Sequence, residues 1–129
     1  MADIAQEYLD LLERPVFAHL GTVRPDGSPQ VNPMWFAWNG SALLFTHTSS
    51  RQKYRNITHD PRVSVCLTDP ENPFRYLELR GTVTAVRPDP TGAFYVELAA
   101  RYGQPTAAPP ADAAERVILE VAIERARGR

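Results

Sequence analysis

The chain has 129 residues, 43% of them hydrophobic and 22% charged, with a formal net charge of -1. That length suits one domain with a single small core. The near-neutral charge excludes a nucleic-acid module working by bulk positive potential, while leaving room for a local anion site. Twelve prolines work against long helices. No stretch reaches the ~18 apolar residues of a membrane span. The acidic, amphipathic start lacks the pattern of a secretory signal, so a cytoplasmic protein with no membrane or nucleic-acid partner is expected.

Ile4, Tyr8, Leu11 and Leu12 stand at helical spacing over residues 3–13, with Asp3 as N-cap and Pro15 as stop. "VFAHLGTV" (16–23) and "VNPMWFAW" (31–38) read as two strands joined by the turn residues of "RPDGSPQ". Asn39-Gly40 is a hairpin signal that leads into a third strand, 42–47. A short helix over 50–58 carries Tyr54 and Ile57 on one face and ends at Asp60-Pro61. Strand four is 62–68, in which Cys66, the sole cysteine, reads as a small core residue. "DPENP" reads as a solvated loop. Strand five, 75–86, sets Tyr76, Glu78 and Arg80 opposite Leu77 and Leu79, with a bulge or bend at Gly81. A helix over 91–103 closes at Gly103, a mobile loop spans 105–114, and strand six is 116–124. Six hairpin-linked strands with short helices predict a mainly β fold, a small antiparallel barrel spanning 1–129 as one domain.

Chemistry concentrates in "THTSSRQKYRN" (46–56). Ser49 or Ser50 suits an N-cap; with Ser50 as cap, Arg51 is the first helical residue and Lys53 stands where a capping box wants Glu or Gln. Positive charge in a first turn opposes the helix dipole. A bound anion reverses that sign, because the free helix N–H groups, the hydroxyls, Arg51 and Lys53 would then share one phosphate. A solvated basic face is the plain alternative. In "VNPMWFAW", Pro33 cannot donate to a ladder, which predicts an edge, bulge or ligand there. Trp35 and Trp38 fall on opposite faces, so one belongs to the core and the other needs a lid, ligand or partner. His19, His47, His59 and Cys66 lack metal-ligand spacing; only His47, beside the hydroxyls, is a candidate site residue, with an ordinary strand-end histidine as the plain alternative.

Three segments in order, "FAHLGTVRPDGSPQVNPMWFAW", "LLFTHTSSRQKYRNITHDPRVSV" and "DPENPFRYLELRGTV", resemble the pyridoxamine 5'-phosphate oxidase-like split β-barrel superfamily, and within it the probable coenzyme F420-dependent reductases. The resemblance implies a six-stranded split barrel forming a homodimer, with the cofactor in a groove between subunits. It implies that Arg51 and Lys53 hold the cofactor phosphate and that Thr46, His47, Thr48 and Ser49 line the same pocket. Asn32, Pro33, Met34 and Trp35 would lie along the flavin or deazaflavin ring, with Phe74 and Tyr76 approaching from the other subunit. The C-terminal "VAIERARGR" lacks the tryptophan- and arginine-bearing segment that completes the pyridoxal phosphate site of the oxidase, which argues against vitamin B6 oxidation. The implied activity is hydride transfer from reduced F420 to a conjugated small molecule such as an enone, quinone or tetrapyrrole. No residue is assigned as general acid. An FMN-dependent oxidase or reductase, or a carrier that binds F420 or flavin without turnover, are the alternatives.

Overall fold

Alternation along each strand puts every second side chain on a common face, and seven strands of the computed structural model share that face; residues 3–129 are described. The strands are β1 (Ala18–Val23), β2 (Pro29–Met34), β3 (Ala37–Trp38), β4 (Ala42–Thr48), β5 (Arg62–Asp69), β6 (Asn72–Pro88) and β7 (Arg116–Gly128). All neighbours are antiparallel, in the order β2-β1-β5-β6-β7-β4-β3. Inward residues such as Leu20, Phe45, Val65, Leu67, Leu77, Leu79, Leu119 and Ile123 are at most 2% exposed and form the core. Leu11 and Leu12 of α1 (Leu9–Glu13) join them from one end.

The six expected strands become seven because the second one breaks at Trp35-Phe36. β2 and β3 then lie at opposite ends of the strand order, although two residues join them. Three residue steps span at most about 11 Å, so the two sheet edges must curl to within that distance of each other. The result is a barrel closed by the chain rather than by a hydrogen-bonded ladder. The backbone at the crossing is satisfied from α3 (Ala93–Arg101) and its C-cap. The Phe36 N–H donates to Tyr102 Oη at 3.0 Å, and Arg101 Nε donates to the Phe36 carbonyl at 2.9 Å.

Local signals explain most of the rest. Asn39 Oδ1 accepts the Ser41 and Ala42 N–H groups and shapes the β3–β4 hairpin, where Gly40 takes a φ of 94°. Gly81 sits at a register shift against β7, and a Cβ there would come within 2.1 Å of the Ala122 carbonyl oxygen. α3 ends in a Schellman motif: the Gln104 N–H donates to the Ala99 carbonyl and the Gly103 N–H to that of Ala100.

Several expectations need correction. Asp3 does not cap the first helix, which begins as a 3-10 turn (Gln6–Tyr8) behind Ala5 with no side-chain cap. Cys66 is half-buried on the face of β5 opposite the core, because core-facing Val65 and Leu67 flank it. "DPENP" is the tight β5–β6 turn, solvent-exposed as expected at Pro70, Glu71, Asn72 and Pro73 but not at its first residue. Its Asp69 is buried, ion-paired to Arg75 at 3.0 Å, and held near pKa 2, chiefly by hydrogen bonds from Glu71.

Candidate functional site

α2 (Gln52–His59) packs on the barrel end with a polar face. Ile57 enters the core and Tyr54 packs against it, as the sequence pattern predicts, and Lys53 and Asn56 are buried as well. Asn56 is fully buried, and both its amide nitrogen and its amide oxygen are hydrogen-bonded. Nδ2 donates to Thr22 Oγ1 at 2.9 Å and to Gln30 Oε1 at 3.1 Å, and Oδ1 accepts from Gln52 Nε2 at 2.8 Å. Gln30 Nε2 in turn donates to Asn32 Oδ1 at 2.9 Å, which also accepts Lys53 Nζ at 3.0 Å. This network fixes α2 against β1 and β2 and aims Lys53 across the end of β2.

The helix begins one residue later than expected. Arg51, in extended conformation, occupies the N-cap position, and no side chain caps the helix. Ser50 donates instead to Glu115 Oε2 at 3.2 Å. The first turn therefore carries cations and no acid, and its amides lack a side-chain acceptor. Lys53 is 9% exposed; burial, and then Arg51, lower its pKa.

Beside this turn lies an open pocket of about 360 Å³ lined by Phe17, Asn32, Pro33, Met34, Trp35, Thr46, His47, Arg51, Lys53 and Arg116. Pro33 stands on β2, an edge strand, where a residue without an N–H is best tolerated. Trp35 stacks on Tyr102, with ring centroids 5.1 Å apart and planes 13° apart, and leans on Tyr95 at 6.0 Å. Trp38 packs against the core, so the two tryptophans divide as expected. His47 is 2% exposed and its pKa falls to about 4, because burial and then Lys53, Arg51 and Arg116 all oppose its charge. His47 Nε2 and Thr48 Oγ1 are buried with no hydrogen-bond partner among the described residues.

The structure thus brings Asn32, Pro33, Met34, Trp35, Thr46, His47, Arg51 and Lys53 to one pocket. Thr48 is buried next to it in sequence, and Ser49 is exposed just beyond. Phe74, 85% exposed, and Tyr76, half-buried on β6 beside Glu78, Arg127, Gly128 and Arg129, do not line it within one chain. Sequence reading missed Arg116 and the Asn56 network. Arg116 sits 70 residues from Thr46, its neighbour in the pocket, and no local motif marks it.

The pocket wall has three cations, the Thr46 hydroxyl and the Asn32 amide but no carboxylate among the described residues, together with one stacked indole. That donor set fits a phosphate attached to a flat ring system. The fold defines a split-barrel protein. A family model described as pyridoxamine 5'-phosphate oxidase matches residues 4–129, and the chain belongs to that family. Among solved structures, one described as an F420 reductase is 56% identical, with a TM-score of 0.93, covering 96% of this chain and 98% of its own. A conserved hypothetical protein of Mycobacterium tuberculosis is 23% identical with a TM-score of 0.78, covering 98% of this chain and 85% of its own. The HupZ protein of Group A Streptococcus is 22% identical with a TM-score of 0.70, covering 98% and 94%. The last two share the fold. A comparison with curated proteins gave no match.

Proposed function

We propose that the protein is an F420H2-dependent oxidoreductase that reduces a conjugated small molecule, with the cofactor phosphate held by Arg51 and Lys53. The observation that carries this reading is the pocket wall, which among the described residues is free of carboxylates and is built on an uncapped, cationic helix start beside Trp35. The 56% identity to a protein described as an F420 reductase supports the choice of deazaflavin. Bound there, reduced F420 would supply a hydride. Asn32, Pro33, Met34 and Trp35 would lie along the ring, and Thr46, His47, Thr48 and Ser49 would complete the phosphate side. Burial and the neighbouring cations hold His47 neutral at pH 7 in the ligand-free chain, and no residue is assigned as proton donor.

The proposal includes a homodimer. Phe17, Val31 and Phe74 are 54%, 65% and 85% exposed, and Phe17 borders the pocket. A second copy would cover such side chains and bring Phe74 and Tyr76 toward the ring.

Parallel titrations with F420, FMN and FAD, followed by tryptophan fluorescence, test the reading. F420 should bind most tightly, and the quenching should survive Trp38→Phe but be lost in Trp35→Phe. Arg51→Ala and Lys53→Ala should each weaken F420 binding by about 1.5–3 kcal/mol, the range for a hydrogen bond to a charged group. F420 binding without F420H2 oxidation across enones, quinones and biliverdin-like compounds would make the protein a carrier. Preferential FMN binding would make it a flavoprotein.

A further inference from the structure

Arg116 opens β7, in register with Thr48 at the end of β4. Its side chain is 10% exposed, and Nε donates to Asp112 Oδ1 at 3.1 Å. Nη1 reaches Thr46 Oγ1 at 3.5 Å, and the guanidinium lies 4.9 Å over the Tyr95 ring. A guanidinium has five N–H donors, and these contacts use two, the second of them long. Burying a cation with so much donor capacity unspent is unfavourable unless something else completes it. Arg116 lines the same pocket as Arg51 and Lys53, so the wall carries three cations. Among the described residues, Asp112 is the one carboxylate bonded to them. Glu115 on the same turn accepts from Ser50 Oγ instead. One phosphodiester brings a single negative charge, which Arg51 and Lys53 alone already exceed.

We propose that Arg116 is a third anion ligand and that the pocket takes a ligand carrying at least two negative charges. Those charges sit either on one phosphate monoester or on a phosphate with a neighbouring carboxylate. Arg116 presents a planar fork to the second charge. Asp112 sets the angle of that fork and partly neutralises it, and Tyr95 supports its face. The inference rests on the anion pocket proposed above and adds to it a ligand charge and a residue.

The rival role for Arg116 is a structural tie between the 112–115 turn and β4. The two roles separate on paired variants. A tie predicts that Arg116→Gln and Asp112→Asn change binding in the same direction, through lost order. A ligand predicts opposite directions: F420 binding about tenfold or more weaker in Arg116→Gln, and tighter in Asp112→Asn, where the guanidinium keeps its charge and loses its competitor. Arg116→Lys should recover part of the loss. FMN, a monoester, and F420 with and without its tail carboxylates distinguish the source of the second charge. If the Arg116→Gln penalty vanishes on removing the carboxylates, the fork meets a carboxylate. If it persists, and appears with FMN as well, the fork meets the phosphate. Both variants shifting binding the same way, or Arg116→Gln binding like the parent while Lys53→Ala binds weakly, overturns the proposal alone. If neither Lys53→Ala nor Arg116→Gln changes F420 binding, the pocket assignment fails and this inference with it.

Discussion

Lys53→Met should make the ligand-free protein more stable while weakening its ligand binding. Lys53 is 9% exposed, and among the described residues its ammonium has one hydrogen-bond partner, Asn32 Oδ1 at 3.0 Å, and no carboxylate in contact. Its pKa is lowered by burial and then by Arg51, so the folded chain disfavours this charge relative to the unfolded one. That penalty is present at neutral pH, where the group is ionised in the unfolded state. Methionine keeps most of the stem volume and removes the charge. Asn32 Oδ1 is not orphaned, because Gln30 Nε2 still donates to it at 2.9 Å. Replacing buried charge by apolar volume is commonly neutral to stabilising, so a gain of about 1 kcal/mol is expected. For a chain of this size that raises Tm by about 3–4 °C. F420 affinity should meanwhile fall by about 1.5–3 kcal/mol, some 10–150-fold. Thermal unfolding of the ligand-free variant and an F420 titration give the two numbers. A variant that melts below the parent and binds F420 as tightly would refute the reasoning, because Lys53 would then be a structural residue.

The buried, neutral His47 makes stability depend on pH in a defined window. Its folded pKa of about 4 lies below the unfolded 6.5, so the unfolded chain binds the extra proton and stability is lost as pH falls from 6.5 toward 4. The loss is roughly 3 kcal/mol and should be largely absent in His47→Asn, as urea midpoints at pH 7 and pH 4.5 would show. The Asp60 and Asp69 carboxyls, both held near 2, lose their contribution only below about 3.8, outside that window. Gly81→Ala drives a methyl group to within 2.1 Å of the Ala122 carbonyl oxygen, where two paired backbones must separate. It should destabilise the fold by about 3 kcal/mol. Gly27→Ala, in an open turn with φ of 88° and nothing within 4 Å, should cost only about 1 kcal/mol. Equal losses at the two glycines in chemical denaturation would contradict the packing argument.

The features legible in the sequence are those whose cause is local. Alternation marked β5 and β6 because core-facing and outward residues succeed one another along a single strand. Asn39-Gly40 and Gly103 marked a turn and a cap because side-chain size and φ decide both. The break at Trp35-Phe36 was not legible. Nothing in "VNPMWFAW" stops a strand there; Tyr102 and Arg101 hold the crossing from 66 and 65 residues away. The start of α2 was misplaced for the same reason, since Ser50 is drawn off by Glu115, 65 residues on. The anion site was visible as a charge pattern, because an acid-free first turn with two cations contradicts helix stability on its own. Its third cation, Arg116, was not, because only the β4–β7 register brings it beside Thr46.

That register also bears on why the barrel stays split. β2 and β4 are separated by four strands in the sheet order, yet Asn32–Trp35 and Thr46–His47 line one pocket. They can do so only because the sheet curls until its ends meet. A ladder closing that gap would satisfy the free edge of β2 and fill the space. Instead Pro33 removes an N–H from that strand, and the Trp35-Phe36 crossing is tied to α3 rather than to a neighbouring strand. The gap is then bordered by a stacked indole on one side and by α2 and Arg116 on the other. A flat ligand with an anionic end matches both borders. The split and the site are therefore one feature of this fold: the edge left without a strand is the edge that a ligand can complete.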